Sequence, residues 1–412
     1  MSKHHYFRIP RERLFKLLMV TSYLLFSGGV NGAEQVLPFS GIAFTSEKSV
    51  ARDSLPYSFK SIGDLEVSPN EFVQSLNAAA HGIQLNNGSV LSSTKISSVN
   101  SGQGLVMALA LENESMKISP LSASQYQLTF NLDAQILIFN FREKAIVAAY
   151  PLRMTLLNVL QRKPEEKDLE DLAKVMFFGD PERNFFEDVT EPYLLENFIA
   201  TVKKITIKPV WGAQIRIMDI DFSEQAHKVL NEHQIDPDYF RQLAASTLSS
   251  SMSTRINLPI LPYIKSDAIE NSMTLRFSDT NLMNLKVPEA DFHINLFVRG
   301  FGQKELRSTG RTKIISFISG IKLSVIDNTF GKIYMETKFQ SGNVRKLSNA
   351  MTVDEWGEYE ISFLSLLDQI SGQLDRPEKK WIKEHTSKNK SPKTILKEFK
   401  KIKTNVIDQI KG

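Results

Sequence analysis

The chain has 412 residues, 42% of them hydrophobic and 23% charged, which excludes a globally disordered chain and leaves room for two or three domains. It has no cysteine, so disulfides, thiol nucleophiles, cysteine-ligated metal and iron–sulfur centres are excluded. The net charge of +4 is unevenly placed: residues 376–412 hold twelve Lys and Arg against four Asp and Glu, residues 1–33 carry +4, and the body between them carries −8. The basic balance is therefore no sign of nucleic-acid binding.

Residues 1–33 have the layout of an export signal. Lys3, Arg8, Arg11, Arg13 and Lys16 form a basic start, Leu17 to Phe26 a short apolar run, and Ala33 a residue before the cut. An uncleaved anchor is the alternative, but the run is short of the about 20 residues of a span. Export without disulfides points to the periplasm of a Gram-negative bacterium.

The first strand falls within residues 36–46, with Phe39, Ile42 and Phe44 after Pro38. A helix opens at Ser68-Pro69, with Ser68 as cap, Pro69 at the first helical position and Glu71 completing a capping box. Strands follow over Ile83–Leu85, Val90–Val99 and Leu105–Leu111. Residues 125–139 alternate, with Tyr126, Leu128, Phe130 and Leu132 between polar positions, and Ala145–Leu152 returns as a hairpin. Residues 155–190 read as a charged insertion with a helix over Leu169–Phe178. Glu191–Val202 closes the first half as a helix.

The second half retraces this order. Pro209-Val210-Trp211-Gly212 leads into a strand of Ile215, Ile217 and Ile220, as Pro38 to Gly41 leads into Ile42 and Phe44. Residues 223–233 are helical, Asp236-Pro237 opens another capped helix, and Ser246–Thr254 is a helix end or a loop. Met273–Phe277 and Phe292–Val298 alternate as strands, with Ile314–Ile318 another. A hairpin joins Ile321–Ile326 to Ile333–Phe339, its Lys332 answering Lys144, and Trp356–Leu374 is a long amphipathic helix. Hairpins mixed with helices give an α+β fold. The expected organisation is a signal at 1–33, tandem duplicated domains at 34–206 and 207–375, and a basic helical tail at 376–412.

Chemistry-bearing patterns are few. The histidines after residue 33 are His81, His227, His233, His293 and His385, with no metal-ligand spacing among them. Asp219 and Asp221 alternate on one strand and can share a face, as paired carboxylates do in glycosidases or cation sites, although an exposed strand face or the strand's end is the plainer reading. Ser92-Ser93-Thr94-Lys95 has acyl-transfer spacing but sits in a strand-like segment without its companion motifs. No cofactor is expected.

The tail is the clearest partner surface. Ser391-Pro392 caps a helix carrying an apolar stripe of Ile395, Phe399, Ile402 and Val406, with Lys397, Lys400 and Lys401 on the remaining surface. Such a helix can pack on its own acidic body, dock into a partner protein, or lie on an anionic membrane surface.

The early strand at Val36–Phe44, the hairpins at Tyr126–Leu152 and Ile321–Phe339, and the closing helices at Glu191 and Trp356 together resemble periplasmic α/β domains of outer-membrane assembly and accessory proteins: the TolB amino-terminal domain, the curli secretion family and flagellar T-ring proteins. The export signal, the duplication and the absence of a convergent catalytic set point to a non-enzymatic exported protein that acts as an interaction or assembly component of a bacterial envelope. The chain lacks the lipid-attachment cysteine of the curli family. A carboxylate hydrolase and a lipid- or ligand-carrying protein, with Phe-rich strands lining a cavity, are the alternatives.

Overall fold

The computed structural model describes residues 35–45, 53–62, 71–99, 104–122, 124–179, 193–208, 211–264, 272–277, 281–348, 353–387 and 389–411. The export-signal segment, the Ser68–Pro69 cap and Pro209–Val210 lie outside the described residues.

Period-two alternation builds two sheets. In the first, β1 (Val36–Phe44) runs parallel to β2 (Val90–Ser93) and to β3 (Leu105–Pro120), and β3, β4 (Tyr126–Asn140) and β5 (Ala145–Leu160) form an antiparallel meander. In the second, β6 (Ile215–Phe222) is parallel to β9 (Phe292–Ser308), which continues antiparallel through β10 (Thr312–Asp327) to β11 (Ile333–Ser348). The orders β1-β3-β4-β5 and β6-β9-β10-β11 thus match in sequence and direction. The fold is α+β, as the mixture of hairpins and helices predicts.

The hairpin turns match in detail. Asn140 Oδ1 accepts from the backbone N–H groups of Arg142 and Glu143, and Asp327 Oδ1 accepts from those of Thr329 and Phe330. Each turn then closes on a residue at positive φ, Lys144 at 49° and Gly331 at 64°. The counterpart of Lys144 is therefore Gly331, and the Lys144–Lys332 match is one residue out of register. The Pro-x-x-Gly match also fails: Gly41 has φ 84° inside β1 at a bulge, whereas Gly212 precedes β6.

Helices cover one face of each sheet. On the first lie α1 (Pro56–Ile62), α2 (Glu71–Ala80), α3 (Glu166–Phe178) and α4 (Leu194–Val202), around a core that includes Phe39, Phe72, Phe130, Phe177 and Phe198. Residues 155–160 continue β5, and α3 buries Leu169, Leu172, Met176 and Phe177 in this core, so residues 155–179 of the segment read as an insertion are part of the fold, and the rest of it lies outside the described residues. Glu114 of β3 caps α1 from a distance, accepting from the backbone N–H groups of Tyr57 at 2.5 Å and Ser58 at 2.9 Å. On the second sheet lie α5 (Glu224–Glu232), α6 (Pro237–Ile256) and α7 (Glu355–Asp375), packed through Phe240, Phe301, Trp356 and Phe363. Asp236 caps α6, accepting from the N–H of Asp238 at 3.0 Å, with Pro237 at the first position.

The two halves interlock across residue 206. β7 (Ser272–Phe277) and β8 (Leu282–Lys286), from the second half, join the first sheet: β7 pairs with β1 and β8 with β5, covering an apolar patch of Val106, Ala108, Leu137 and Phe139. Helix α6 lies between the sheets. Residues 246–254, expected as a helix end or loop, are helical, and Ser246, Thr247, Ser249, Ser250, Ser251 and Ser253 are buried. Small side chains let this helix approach β5, and several bond back to their own turn, as Ser249 does to Ala245 C=O at 2.6 Å. The layers are helices, first sheet, α6 with its neighbours, and second sheet.

The tail belongs to the second core. α8 (Lys379–His385), α9 (Pro392–Ile402), a π-helical turn (Lys403–Ile407) and α10 (Asp408–Lys411) fold back on the sheet. Phe399 packs against Phe339, the ring centres 6.0 Å apart, and Glu398 accepts from Thr337 Oγ1 at 2.7 Å.

Candidate functional site

The polar side of the first sheet is partly covered: Asp133 and Gln135 are buried, whereas Lys117 at its end is exposed. Where α6 and α7 lie against it, β3, β4 and β5 present Glu112, Ser115, Lys117, Asn131, Asp133, Gln135, Arg153 and Thr155, forming a polar seam between the halves. A bulge in β3 between Leu111 and Asn113 resets the alternation at Glu112.

At the centre, Arg153 Nη1 donates to Asp133 Oδ1 at 2.7 Å, to Oδ2 at 2.9 Å and to Ser246 Oγ of α6 at 2.9 Å. The Arg153 backbone N–H donates to Ser250 Oγ at 2.9 Å. The side chains are 11% and 5% exposed, so this ion pair is desolvated. Burial pushes the Asp133 carboxyl up from its ordinary range, and the Arg153 guanidinium pulls it back. Thr155 donates to Asn131, which donates to Ser115, and Ser115 bonds Tyr239 of α6. From α7, Glu360 faces Lys117 and Arg153; burial raises its pKa and those two cations lower it.

Glu112 marks the rim, where its Oε1 accepts from Gln135 Nε2 at 2.5 Å. Burial first, and the Asp133 charge second, push its carboxyl from 4.5 up to about 8. It borders a cleft of about 410 Å³ that also meets Thr45, Gln242, Tyr263, Met273 and Thr274. A carboxyl with a raised folded pKa holds a proton that the unfolded chain has released. Its stabilising protonation is complete below about pH 4.5 and lost as pH rises toward about 8. Asp133, Glu114 and Glu360 shift in the same direction. Glu112→Gln keeps an acceptor for Gln135 and removes the titration. Urea midpoints between about pH 6 and about pH 8 should fall less steeply for the variant, by up to ~1.4 kcal/mol per pH unit. Parallel slopes would place Glu112 in water.

The residues singled out by sequence lie elsewhere. Asp219 and Asp221 are exposed on edge strand β6, opposite Asn295 and Phe297, with their carboxyls hydrogen-bonded to each other. Burial and the Asp221 charge raise the Asp219 pKa. Touching carboxyls leave no space for a sugar between them, unlike glycosidase pairs separated by about 5 Å or more. His227 packs on Phe222, His233 on Trp356 and His385 on Trp381. Among the described residues no group of three or more His, Asp or Glu could hold a metal ion. Ser92 and Ser93 lie in β2, not at a helix start. In the tail, Ile395, Phe399, Ile402 and Val406 are buried in the chain's own core, whereas Lys397, Lys400 and Lys401 are exposed. The stripe is covered by self-packing, which is one of the three destinations its pattern allows. No helix among the described residues is long and apolar enough to cross a membrane.

Sequence reasoning missed the seam. The polar positions of β4, Asn131, Asp133 and Gln135 at period two, were visible, but an alternating strand looks the same whether its polar face meets water or a polar helix.

No family model matches the chain, and no curated protein does. Among solved structures, a minor lipoprotein from Acinetobacter baumannii is 9% identical, with a TM-score of 0.22 and 39% of this chain and 92% of that chain covered. The PelC dodecamer from Paraburkholderia phytofirmans is 11% identical, with a TM-score of 0.19 and 40% and 91% covered. A DUF330 protein from Xanthomonas campestris is 11% identical, with a TM-score of 0.22 and 41% and 87% covered. None of these three is a TolB, curli secretion or T-ring domain.

Proposed function

We propose that the chain is an exported, non-enzymatic interaction or assembly component of a bacterial envelope, built by duplication of one α+β unit. The interlock carries this reading. A strand hairpin and a serine-faced helix from the second half are built into the first sheet, which makes two like-ordered sheets a single body suited to holding partners at fixed positions. The layout of residues 1–33 supports export, and the matching turns at Asn140 and Asp327 support the duplication.

The test is to express the full chain in a Gram-negative host, fractionate the cells and cross-link in the intact envelope. The reading expects the protein in the periplasmic fraction, with discrete cross-links to envelope proteins. Retention in the cytoplasm would overturn export, and an exported protein without cross-linked partners would overturn the interaction role.

A further inference from the structure

We propose that the outer half of the second sheet is a membrane-contact surface that binds the phosphate headgroups of anionic lipids. Strands β9 to β11 run on past the helices. Gln303 to Ser308 are all exposed, as is most of β11 beyond Gly342. Within residues 302–314 and 342–348 there are six cations, Lys304, Arg307, Arg311, Lys313, Arg345 and Lys346, against one anion, Glu305. Arg345 is engaged with Glu358 at 2.7 Å, on the side facing α7. None of the other five forms an ion pair among the described residues.

Register decides which of them share a face. Lys304, Ser316 and Val344 stand on one rung, and Arg307, Ile314 and Lys346 on the next rung of that face. The neighbouring rung of Gln303, Phe317 and Asn343 faces the other way, where Asn343 donates to Glu358 of α7, as does the intervening rung of Glu305, Ile315 and Arg345. Lys304, Arg307 and Lys346 therefore project together from the face that α7 leaves open.

Apolar side chains at the same level separate a bilayer from a soluble polyanion. Val344 is 54% exposed, and Leu306, the extra residue of a bulge in β9, is 51% exposed. Cations beside exposed apolar groups suit the headgroup boundary, where charge meets phosphate and the apolar groups reach the acyl edge. The basic tail helix lacks this second element, because its apolar stripe is buried. Any membrane contact therefore moves from the tail to this sheet.

The test is co-sedimentation of the full chain with vesicles of equal parts phosphatidylglycerol and phosphatidylcholine, and with phosphatidylcholine alone. It does not depend on export and so stands apart from the periplasmic reading. Wild type should bind the anionic vesicles only. The triple variant K304Q/R307Q/K346Q should bind roughly a hundredfold more weakly, with unchanged thermal unfolding because the three side chains are exposed. L306N/V344N should also weaken vesicle binding, and K397Q/K400Q/K401Q in the tail should not. Wild-type affinity in the triple variant, or a loss confined to the tail variant, would overturn the proposal. So would a wild type that ignores vesicles but binds soluble polyglutamate, which would assign the face to an acidic polymer.

Discussion

Replacing Arg153 by methionine is expected to destabilise the fold by about 3–5 kcal/mol, read from the urea midpoint at neutral pH. The cost comes from the group left behind. Asp133 is 5% exposed and loses the guanidinium that meets both its oxygens at 2.7 and 2.9 Å. Ser246 of α6 also loses its donor. A buried carboxylate without a cation must take up a proton or draw in water, and either disturbs the contact between α6 and β5. Removing both charges should be far milder: R153M/D133L is expected near wild type, because an apolar pair of similar size avoids desolvation. A loss below about 1 kcal/mol for R153M alone is what an exposed pair gives, and would mean that the seam is wet.

Replacing Phe399 by alanine is expected to cost about 3–5 kcal/mol, the range for deleting a fully buried aromatic ring. Its exposure is 0%, and it packs on Phe339 of β11. The contrast is with Lys400→Gln, one residue along on the exposed side of α9, which should lie within about 0.5 kcal/mol of wild type. Thermal unfolding of the two variants side by side decides whether the tail is core or appendage. Equal small effects would detach it from the fold.

Much of the fold was legible because it rests on local signals. Ser391-Pro392 and Asp236-Pro237 start helices where capping chemistry puts them. The alternation from Tyr126 gives β4, and polar turns at Asn140 and Asp327 give matching hairpins. Strand length was harder to read. β9 to β11 continue past their apolar repeats into Lys304, Arg307 and Lys346, because an antiparallel ladder is held by its backbone once the register is set. The serine run of α6 was opaque for another reason. Serine is an indifferent helix former, and only tertiary contact on both sides explains a buried helix of small polar residues. The seam was hidden by the same ambiguity: Glu112, Asp133, Arg153 and Glu360 come from four separated stretches, and no spacing within one of them announces the others.

The central claim is that the two sheets form one body through α6 and the β7–β8 hairpin. Hydrogen exchange of β4 and β10 in increasing urea tests it most directly, since one strand lies in the middle of each sheet. An interlocked chain predicts that both strands lose protection together at a single urea concentration, and that R153M lowers the two in step. One strand exchanging well before the other, with the second sheet still protected, would contradict the account and leave two independent domains.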